Sequence, residues 1–470
     1  MSIAHGDQND PSAHLTTATR TDVARRTISW RAAFLLSLGG ALLVTVGLGP
    51  MAAELGAASI LVWMVTVIVG TLQCLLLAEL AARFPLKVGG APAYTHEGLR
   101  TISPLFGALA TWGYWVAWIP GVAVNLTLAA TYIRAAFFPS LNVLVVTLLL
   151  AVGLYILNSF GLRPSVWLSG VLAACALLPL LVILAAPLIR PGLWQGAHLS
   201  PLLPAGVSWW SGGTWALLAK WGFVAAWSSY GAEMVTTVVG ELRDPRRDAP
   251  KAVGAASVAT VLAFVLVPIA LLGIVGGAGL SQDPYVTFLT AAEAVFGTAG
   301  GKLVALMLIA ALVLGAEVFI ISSSRALYQM SKDGLTLQGY GRLNRRGVPV
   351  GSVVWDAAIT LTLLALFRGN IVSVIASANV GYLIVFILLP IAYIFIRRRA
   401  TTRATFQLPR IFIPIALLIA IFNALLFIIG GGQWGLEIMG VGLILTLTFL
   451  PFYVMRQREP AVSSNVVDAH

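Results

Sequence analysis

Long apolar runs constrain this chain most, because about twelve of them are long enough to cross a bilayer as α-helices. Mean hydropathy is +0.92 and only 10% of the residues are charged, which is typical of membrane-embedded rather than soluble proteins. These properties predict an all-α integral membrane fold with about twelve transmembrane helices. The predicted spans are residues 31–56, 58–82, 104–137, 141–160, 165–189, 212–240, 252–278, 301–328, 350–367, 370–396, 408–430 and 434–456.

Lys and Arg residues indicate how the spans are oriented, because cytoplasmic loops are enriched in them. If the N terminus is cytoplasmic, all but five of the 29 basic residues fall on the cytoplasmic side. The exceptions are Arg134, Arg190, Lys220, Lys302 and Arg368. This bias predicts a multi-pass protein of the cytoplasmic membrane with both termini cytoplasmic. The net charge of +11 then reflects topology and contact with anionic lipids, and it requires no nucleic acid partner.

Polar tails flank a single predicted domain. Residues 1–29 and 457–470 are expected to be disordered cytoplasmic tails, and the first lacks the apolar core of a cleavable signal peptide. Residues 30–456 would form the membrane domain. Cys74 and Cys175 lie in separate spans and the five histidines lie in loops and tails, so we expect no disulfide, metal or cofactor.

The sixth span contains residues that a plain membrane helix does not favour. Residues 227–231 read Trp-Ser-Ser-Tyr-Gly, and Glu233 follows. Small polar residues and glycine lower the cost of interrupting a helix, whereas a carboxylate inside the bilayer costs several kcal/mol. Irregular backbone at that depth occurs only where it is buried in protein or lines a wet cavity. We therefore interpret this span as a broken helix that forms a binding site; a glycine kink that only packs helices is the alternative.

The first span shows a similar pattern. Residues 37–40 read Ser-Leu-Gly-Gly, and Gly47 and Gly49 then precede Pro50 at a similar depth. Proline removes a helical hydrogen bond, and the glycines lower the cost of unwinding. Two interrupted spans at corresponding positions, five spans apart, are typical of membrane proteins built from inverted repeats with a site at the midplane. We predict a five-plus-five inverted repeat with discontinuous helices 1 and 6. Repeat one covers residues 30–190, repeat two residues 212–396, and extra helices residues 408–456.

Four stretches resemble signature motifs of the amino acid–polyamine–organocation (APC) superfamily. They are residues 231–251 after the break in span six, 77–94 after span two, 322–335 after span eight and 347–350 before span nine. They occur in the family order across about residues 30–400, which makes them specific as a set although each alone is weak. The resemblance implies transport of a small molecule, held between the broken first and sixth helices.

The resemblance also implies roles for individual residues. Trp227 is similar to an aromatic residue that closes over the substrate, and residues 228–231 to the unwound segment that faces it. Glu233 is similar to a carboxylate used in gating or proton response, and Phe319 to a ligand-facing aromatic residue. Ordinary packing is the alternative for both aromatic residues. The implied substrate-binding set in spans six and eight is Trp227, Ser228, Ser229, Tyr230, Gly231 and Phe319.

Span one departs from the family pattern. The family has a Gly-x-Gly motif that would align with residues 43–45, but the glycines here occur later, at Gly47 and Gly49. We assign Thr45, Val46 and Gly47 to the substrate-binding part of this span. The altered motif leaves amines and polyamines open as substrates.

The sequence indicates the coupling ion less clearly than the substrate-binding residues. Glu317 in span eight and Glu54 beyond the first interruption are further candidates for gating or coupling, with a solvated loop position as the alternative for Glu54. Ala176 in span five stands where proton-coupled relatives carry a lysine, and the serines at residues 322–323 could contribute to a sodium site. We favour protons, and exchange without an ion stays open.

The leading hypothesis is a secondary active transporter that moves an amino acid by alternating access. The alternative is a polyamine or other organic amine permease, which would need additional acids in the site. An enzyme is not indicated, because no catalytic set converges in the spans, and residues 300–303 are only a fragment of a phosphate loop. The expected partners are the small-molecule substrate and membrane lipids, with a monomeric or homodimeric protein.

Overall fold

The computed structural model describes residues 28–38, 44–85, 87, 89–160, 166–204 and 207–459. The helices up to the middle of the chain are α1 (Trp30–Ser37), α2 (Val44–Leu55), α3 (Ser59–Arg83), α4 (Ala91–Leu99), α5 (Pro104–Ala136), α6 (Val143–Ser159), α7 (Val166–Ile189) and α8 (Gly212–Ser229). A 3-10 helix, Gly231–Glu241, follows α8. The remaining helices are α9 (Pro245–Gln282), α10 (Thr287–Lys332), α11 (Val350–Leu366), α12 (Ile371–Arg399), α13 (Phe412–Leu425), α14 (Gly435–Leu447) and α15 (Phe449–Arg458).

The all-helical prediction is confirmed for the described part of the chain, where an isolated bridge between Ile28 and Leu242 is the one β pairing. Within these residues, seven helical stretches are long and apolar enough to cross a membrane. An eighth qualifies if the end of α7, Ala174–Ile189, and the segment Pro191–Leu199, which is bent from it by 98°, count together as one span. Every predicted span overlaps one or two α-helices, whereas the count of twelve and the inverted repeat stay predictions.

Side-chain caps explain where several helices begin. The first backbone N–H groups of a helix lack an intrahelical partner, so a preceding polar side chain stabilises the end by accepting from one of them. Ser103 does so for α5, Ser211 for α8 and Asn370 for α12, with distances of 3.2, 3.2 and 3.1 Å. These helices supply much of the candidate site.

Two groups of helices meet beside α5. In the first group, α2 and α3 pack against α8 and α9, and in the second, α5 packs against α6, α10 and α11. The helix α12 also lies along α5. Of the most apolar 18-residue window of α5, 94% is buried. Residues on α5 are therefore placed to contact the other helices of the second group. They are also placed to contact the segment that follows α8.

The interruption predicted at residues 45–50 is wrong. The helix α2 is continuous from Val44 to Leu55 with Pro50 inside it, and residues 39–43, which separate α1 from α2, lie outside the described residues. Proline is tolerated in membrane helices where neighbouring groups satisfy the freed backbone. Gly49 has a packing role instead of interrupting the helix, because a Cβ on this residue would lie 1.9 Å from the carbonyl oxygen of Pro284.

We expect Gly49→Ala to destabilise the protein, because the added methyl group would overlap the backbone of Pro284. Overpacking of this kind costs about 1–3 kcal/mol, measured here as a lower melting temperature in detergent. Gly254→Ala in α9 is the matched control, since nothing lies within 4 Å of its added Cβ and alanine favours a helix. Equal melting temperatures for the two variants would rule out this close contact.

Some helices extend beyond the prediction. The helix α4 occupies a segment expected to be a cytoplasmic loop, and it is held against α12 by the close approach of Gly98 to Ala392. The segments α9 and α10 extend beyond their predicted spans, and Gly276 and Gly297, with φ values of 72° and 73°, interrupt regular helix within them. Apolar periodicity does not detect such polar or kinked extensions, because they lie at the ends of the apolar runs.

The predicted tails lie mostly outside the described residues, at 1–27 and 460–470. Their inner edges are structured, contrary to the prediction. The N–H of Ile28 donates to the carbonyl of Glu241 at 3.1 Å, and residues 457–458 complete α15. The N-terminal edge is therefore held by the end of the 3-10 helix.

Candidate functional site

The helix α8 and the 3-10 helix meet at Tyr230, where the sequence predicts an unwound turn. The helix α8 ends at Ser229 and the 3-10 helix begins at Gly231, and the N–H of Glu233 donates to the carbonyl of Tyr230 at 3.1 Å. The position of the interruption agrees with the prediction, but the unwinding is wrong. The reason is that i→i+3 bonds keep the backbone satisfied inside an apolar bundle.

Two serine hydroxyls lie at this junction. Ser228 and Ser229 are at most 1% exposed, and neither Oγ has a hydrogen-bond partner within the described chain. The indole N–H of Trp118 is likewise buried and unpaired there. An unsatisfied buried polar group costs about 1–3 kcal/mol. These groups are therefore candidates to bind a polar ligand.

Three aromatic rings pack beside the junction. Trp118 of α5 stacks on Phe319 of α10 with ring centroids 5.1 Å apart, and Trp227 of α8 lies 6.0 Å from Trp118 and 6.2 Å from Phe319. The indole N–H of Trp227 donates to the carbonyl of Ala117 at 3.0 Å. Gly121 allows this packing, since a Cβ there would lie 3.1 Å from the Phe319 ring. Trp227 and Phe319, which the sequence analysis assigned to the site, thus lie together.

Glu233 is fully buried at the start of the 3-10 helix. Its Oε1 accepts a hydrogen bond from the Tyr114 hydroxyl of α5 at 2.8 Å, and its Oε2 has no partner among the described residues. The Tyr382 hydroxyl of α12 faces the same carboxyl group without good hydrogen-bond geometry. None of the ion pairs in the described chain includes Glu233. Neutral groups alone therefore surround this acid.

The side chain of Tyr230 anchors the junction to other helices. Its hydroxyl donates to Asn423 Oδ1 of α13 at 2.8 Å, and the amide of Asn423 donates to Gln73 Oε1 and to the carbonyl of Phe386. Gly70 of α3 admits the ring, because a Cβ there would lie 2.6 Å from Tyr230 Cδ1. Only the backbone of Tyr230 therefore stays a candidate for ligand contact.

The residues predicted in span one lie in α2. Thr45, Val46 and Gly47 are all buried, and Gly47 packs on Trp63 of α3, with a built Cβ 3.3 Å from the indole. The helix α2 packs against α8 and α9. These residues therefore belong to the helix group that carries the junction.

The other two predicted acids have separate partners. Glu54 forms an ion pair with Lys220 of α8 at 2.9 Å and is 43% exposed, so it is solvated as the alternative expects, although it lies in the last turn of α2 rather than in a loop. Glu317 of α10 accepts a hydrogen bond from Asn158 of α6 at 2.8 Å. Neither interaction includes Glu233, and the three acids do not form one cluster.

Ion binding has limited support. In the chain as described, no group of three or more His, Cys, Asp or Glu side chains could hold a metal ion. Ser323, one of the two serines considered for a sodium site, donates to Asp356 and lies 3.2 Å from the carbonyl of Ile320. Protein groups therefore already satisfy this hydroxyl.

Sequence reasoning missed Tyr114, Trp118 and Tyr382, and it missed a further fully buried acid, Asp356 of α11. Two signals could have indicated them. Residues 112–118 of α5 contain four aromatic side chains, and Asp356 is the one acid within the ninth predicted span. The contacts that make these residues important join distant parts of the chain, and no spacing pattern reveals such contacts.

Comparison with known proteins agrees with the motifs. The family model described as "Amino acid permease" matches residues 28–464. Amino-acid permease RocE of Bacillus subtilis (strain 168) is 28% identical over 73% of this chain and 74% of the relative. L-asparagine permease 1 of Mycobacterium tuberculosis is 25% identical over 71% and 68%. Lysine-specific permease LysP of Lactococcus lactis subsp. cremoris is 23% identical over 64% and 61%.

These matches confirm the resemblance to the APC superfamily that the four motifs indicate. The apolar helices and the permease relatives together support a multi-pass protein of the cell membrane. The family match extends over most of the sequence and includes α1 to α15. This chain therefore belongs to the amino acid permease family.

Proposed function

We propose that this permease is a secondary active transporter that moves an amino acid across the cytoplasmic membrane by alternating access. The observation that carries the proposal is the junction at Tyr230, where the end of α8, two unpartnered hydroxyls and an aromatic cluster lie close to a buried acid. A site at a helix interruption suits alternating access, because it can be reached from either side in turn. The relatives are named as amino acid permeases.

The end of α8 suits one of the two charged groups of an amino acid. The carbonyl groups at the C-terminus of α8 carry partial negative charge and suit an ammonium group. The carboxylate would lie toward α2, which packs against α8. In this proposal Thr45, Val46 and Gly47, which are buried in α2, line that side of the site.

An amino acid is favoured over a polyamine. A second ammonium group would call for a further acid near Glu233. The candidates are already engaged, Glu54 with Lys220 and Glu317 with Asn158. The three relatives reported above include permeases named for asparagine and for lysine, both α-amino acids.

We propose Glu233 as the proton carrier that couples transport to a proton gradient. A carboxylate buried without a countercharge is costly, so this group is suited to bind and release a proton as its surroundings change. Its hydrogen-bond donor, Tyr114, belongs to α5, whereas Glu233 follows α8. Movement of one helix group against the other would make or break this bond and thereby change the proton affinity.

The proposed architecture keeps twelve spans and both termini in the cytoplasm. Residues 30–190 and 212–396 would form the two inverted repeats, with additional helices over 408–456. The change from α8 to the 3-10 helix at Tyr230 supports this arrangement, because an interrupted span at the start of the second half is typical of inverted repeats.

Uptake into proteoliposomes tests the proposed function. We expect saturable uptake of at least one labelled amino acid, and we expect a proton gradient to change its rate and a protonophore to remove that effect. Protein-free liposomes give the background, and polyamines are tested at the same concentrations. Transport of polyamines alone would overturn the amino acid assignment, whereas a strict sodium requirement would overturn proton coupling.

A further inference from the structure

Asp356 of α11 links three helices through one buried carboxyl group. Its side chain is 0% exposed. Its Oδ1 accepts a hydrogen bond from the indole N–H of Trp115 on α5 at 2.5 Å, and its Oδ2 accepts one from the hydroxyl of Ser323 on α10. An acid buried without a basic partner is expensive, which favours a specific role over incidental packing.

The two donors lie one helical turn from the aromatic pair of the candidate site. Trp115 precedes Trp118 by three residues on α5, and Ser323 follows Phe319 by four residues on α10. Residues at these spacings share a helix face. Trp118 and Phe319 are the rings that stack at 5.1 Å, so Asp356 fixes the relative placement of α5 and α10 next to that stack.

One other buried hydrogen bond of α11 includes neither α5 nor α10. It joins the Tyr155 hydroxyl of α6 to the Thr360 hydroxyl of α11 at 2.7 Å. This bond provides an internal comparison, because it is a buried polar contact of the same helix whose partners do not lie on the two helices that carry the aromatic pair.

We propose that Asp356 is a positioning residue for substrate binding, which holds Trp118 against Phe319 by accepting hydrogen bonds from α5 and α10 at once. The inference rests on the proposed function, since it assigns the aromatic pair to the substrate site. Substrate affinity then depends on the geometry that Asp356 maintains. Asparagine can reproduce this geometry, because its oxygen accepts from Trp115 and its amide donates to the Ser323 oxygen.

A double-mutant cycle on KM tests the proposal in proteoliposomes. Asp356→Ala should raise KM for the transported amino acid about tenfold, and Trp115→Phe, which keeps a ring but loses the N–H, should raise it in the same direction. Asp356→Asn should stay within about threefold of the wild type. In a Phe319→Leu background the effect of Asp356→Ala should fall below about twofold, because coupled residues are not additive.

Tyr155→Phe is the matched control, and it should lower the melting temperature without changing KM. An equal effect of Asp356→Ala with and without Phe319 would show a general structural role and overturn the proposal. If Asp356→Ala does not fold, Trp115→Phe replaces it in the double-mutant cycle with Phe319→Leu, and the expected outcome is the same. Absence of saturable uptake by the wild-type protein would instead remove the proposed function.

Discussion

Glu233→Gln should abolish proton-driven accumulation of the substrate while it leaves the fold intact. The amide oxygen can still accept the hydrogen bond that Tyr114 donates, so the contact between α5 and the junction is kept. The amide cannot bind or release a proton. We expect proton-driven uptake to fall about tenfold to hundredfold, the range typical of a lost coupling between two sites. The melting temperature should stay close to that of the wild type.

Exchange measurements separate coupling from binding in this variant. Exchange of internal unlabelled for external labelled substrate requires no net proton movement, so Glu233→Gln should retain it. Glu293→Gln is the matched control, because Glu293 is an exposed acid on α10 and its replacement should leave both activities unchanged. Wild-type accumulation by Glu233→Gln would remove the proposed role of this acid.

Trp227→Ala should abolish most transport, because it removes the ring that packs against both Trp118 and Phe319. Aromatic contacts contribute about 0.5–1.5 kcal/mol each, so the loss of two such contacts corresponds to a rise in KM of about fivefold to 150-fold. The variant also loses a fully buried side chain, which costs about 3–5 kcal/mol of stability. Trp227→Phe keeps a ring and loses the bond to Ala117, so it should have an intermediate KM in a more stable protein.

An exposed tryptophan provides the control for this prediction. Trp215 lies on the same helix, α8, and is 59% exposed, so Trp215→Ala should transport at close to the wild-type rate. Wild-type KM values in both the Ala and Phe variants at Trp227 would exclude it from the substrate site. Transport and melting temperature are measured on the same preparations, so a folding defect is recognised as such.

The positions of most spans could be predicted because bilayer thickness sets the length of an apolar run. The prediction of 104–137 differs from α5 by one residue, and a polar cap at Ser103 explains why the helix begins there. The polar helix α4 could not be predicted in this way. Its position depends on contact with α12 through Gly98, and hydropathy carries no information on such a contact.

The two helix interruptions were not equally predictable. In span six the small polar residues mark the true position, because Gly231 begins the 3-10 helix. In span one the same reasoning fails at Pro50, which lies inside a regular helix. Glycine and proline are read correctly only when their neighbours are known. Gly49 serves close packing against Pro284, a residue more than two hundred positions further along the chain.

The candidate site could be predicted only in part. Residues 227–233 were indicated because polar groups inside an apolar span are costly, and the structure brings Trp227 and Phe319 together. Tyr114, Trp118 and Asp356 were missed because aromatic residues in a span resemble ordinary packing, and one acid on α11 has no local partner. The hydrogen bonds of Tyr114 and Asp356 join α5 to segments more than one hundred residues away.

The location of bound substrate in an experimental structure tests the account most directly. A cryo-electron microscopy map of the protein in lipid nanodiscs, with its transported amino acid, should show the ligand at the end of α8. The ligand should contact Trp227 and residues 228–231, with its carboxylate toward residues 45–47 of α2. A ligand bound elsewhere, or a regular α-helix that continues through Gly231, would contradict the proposed site.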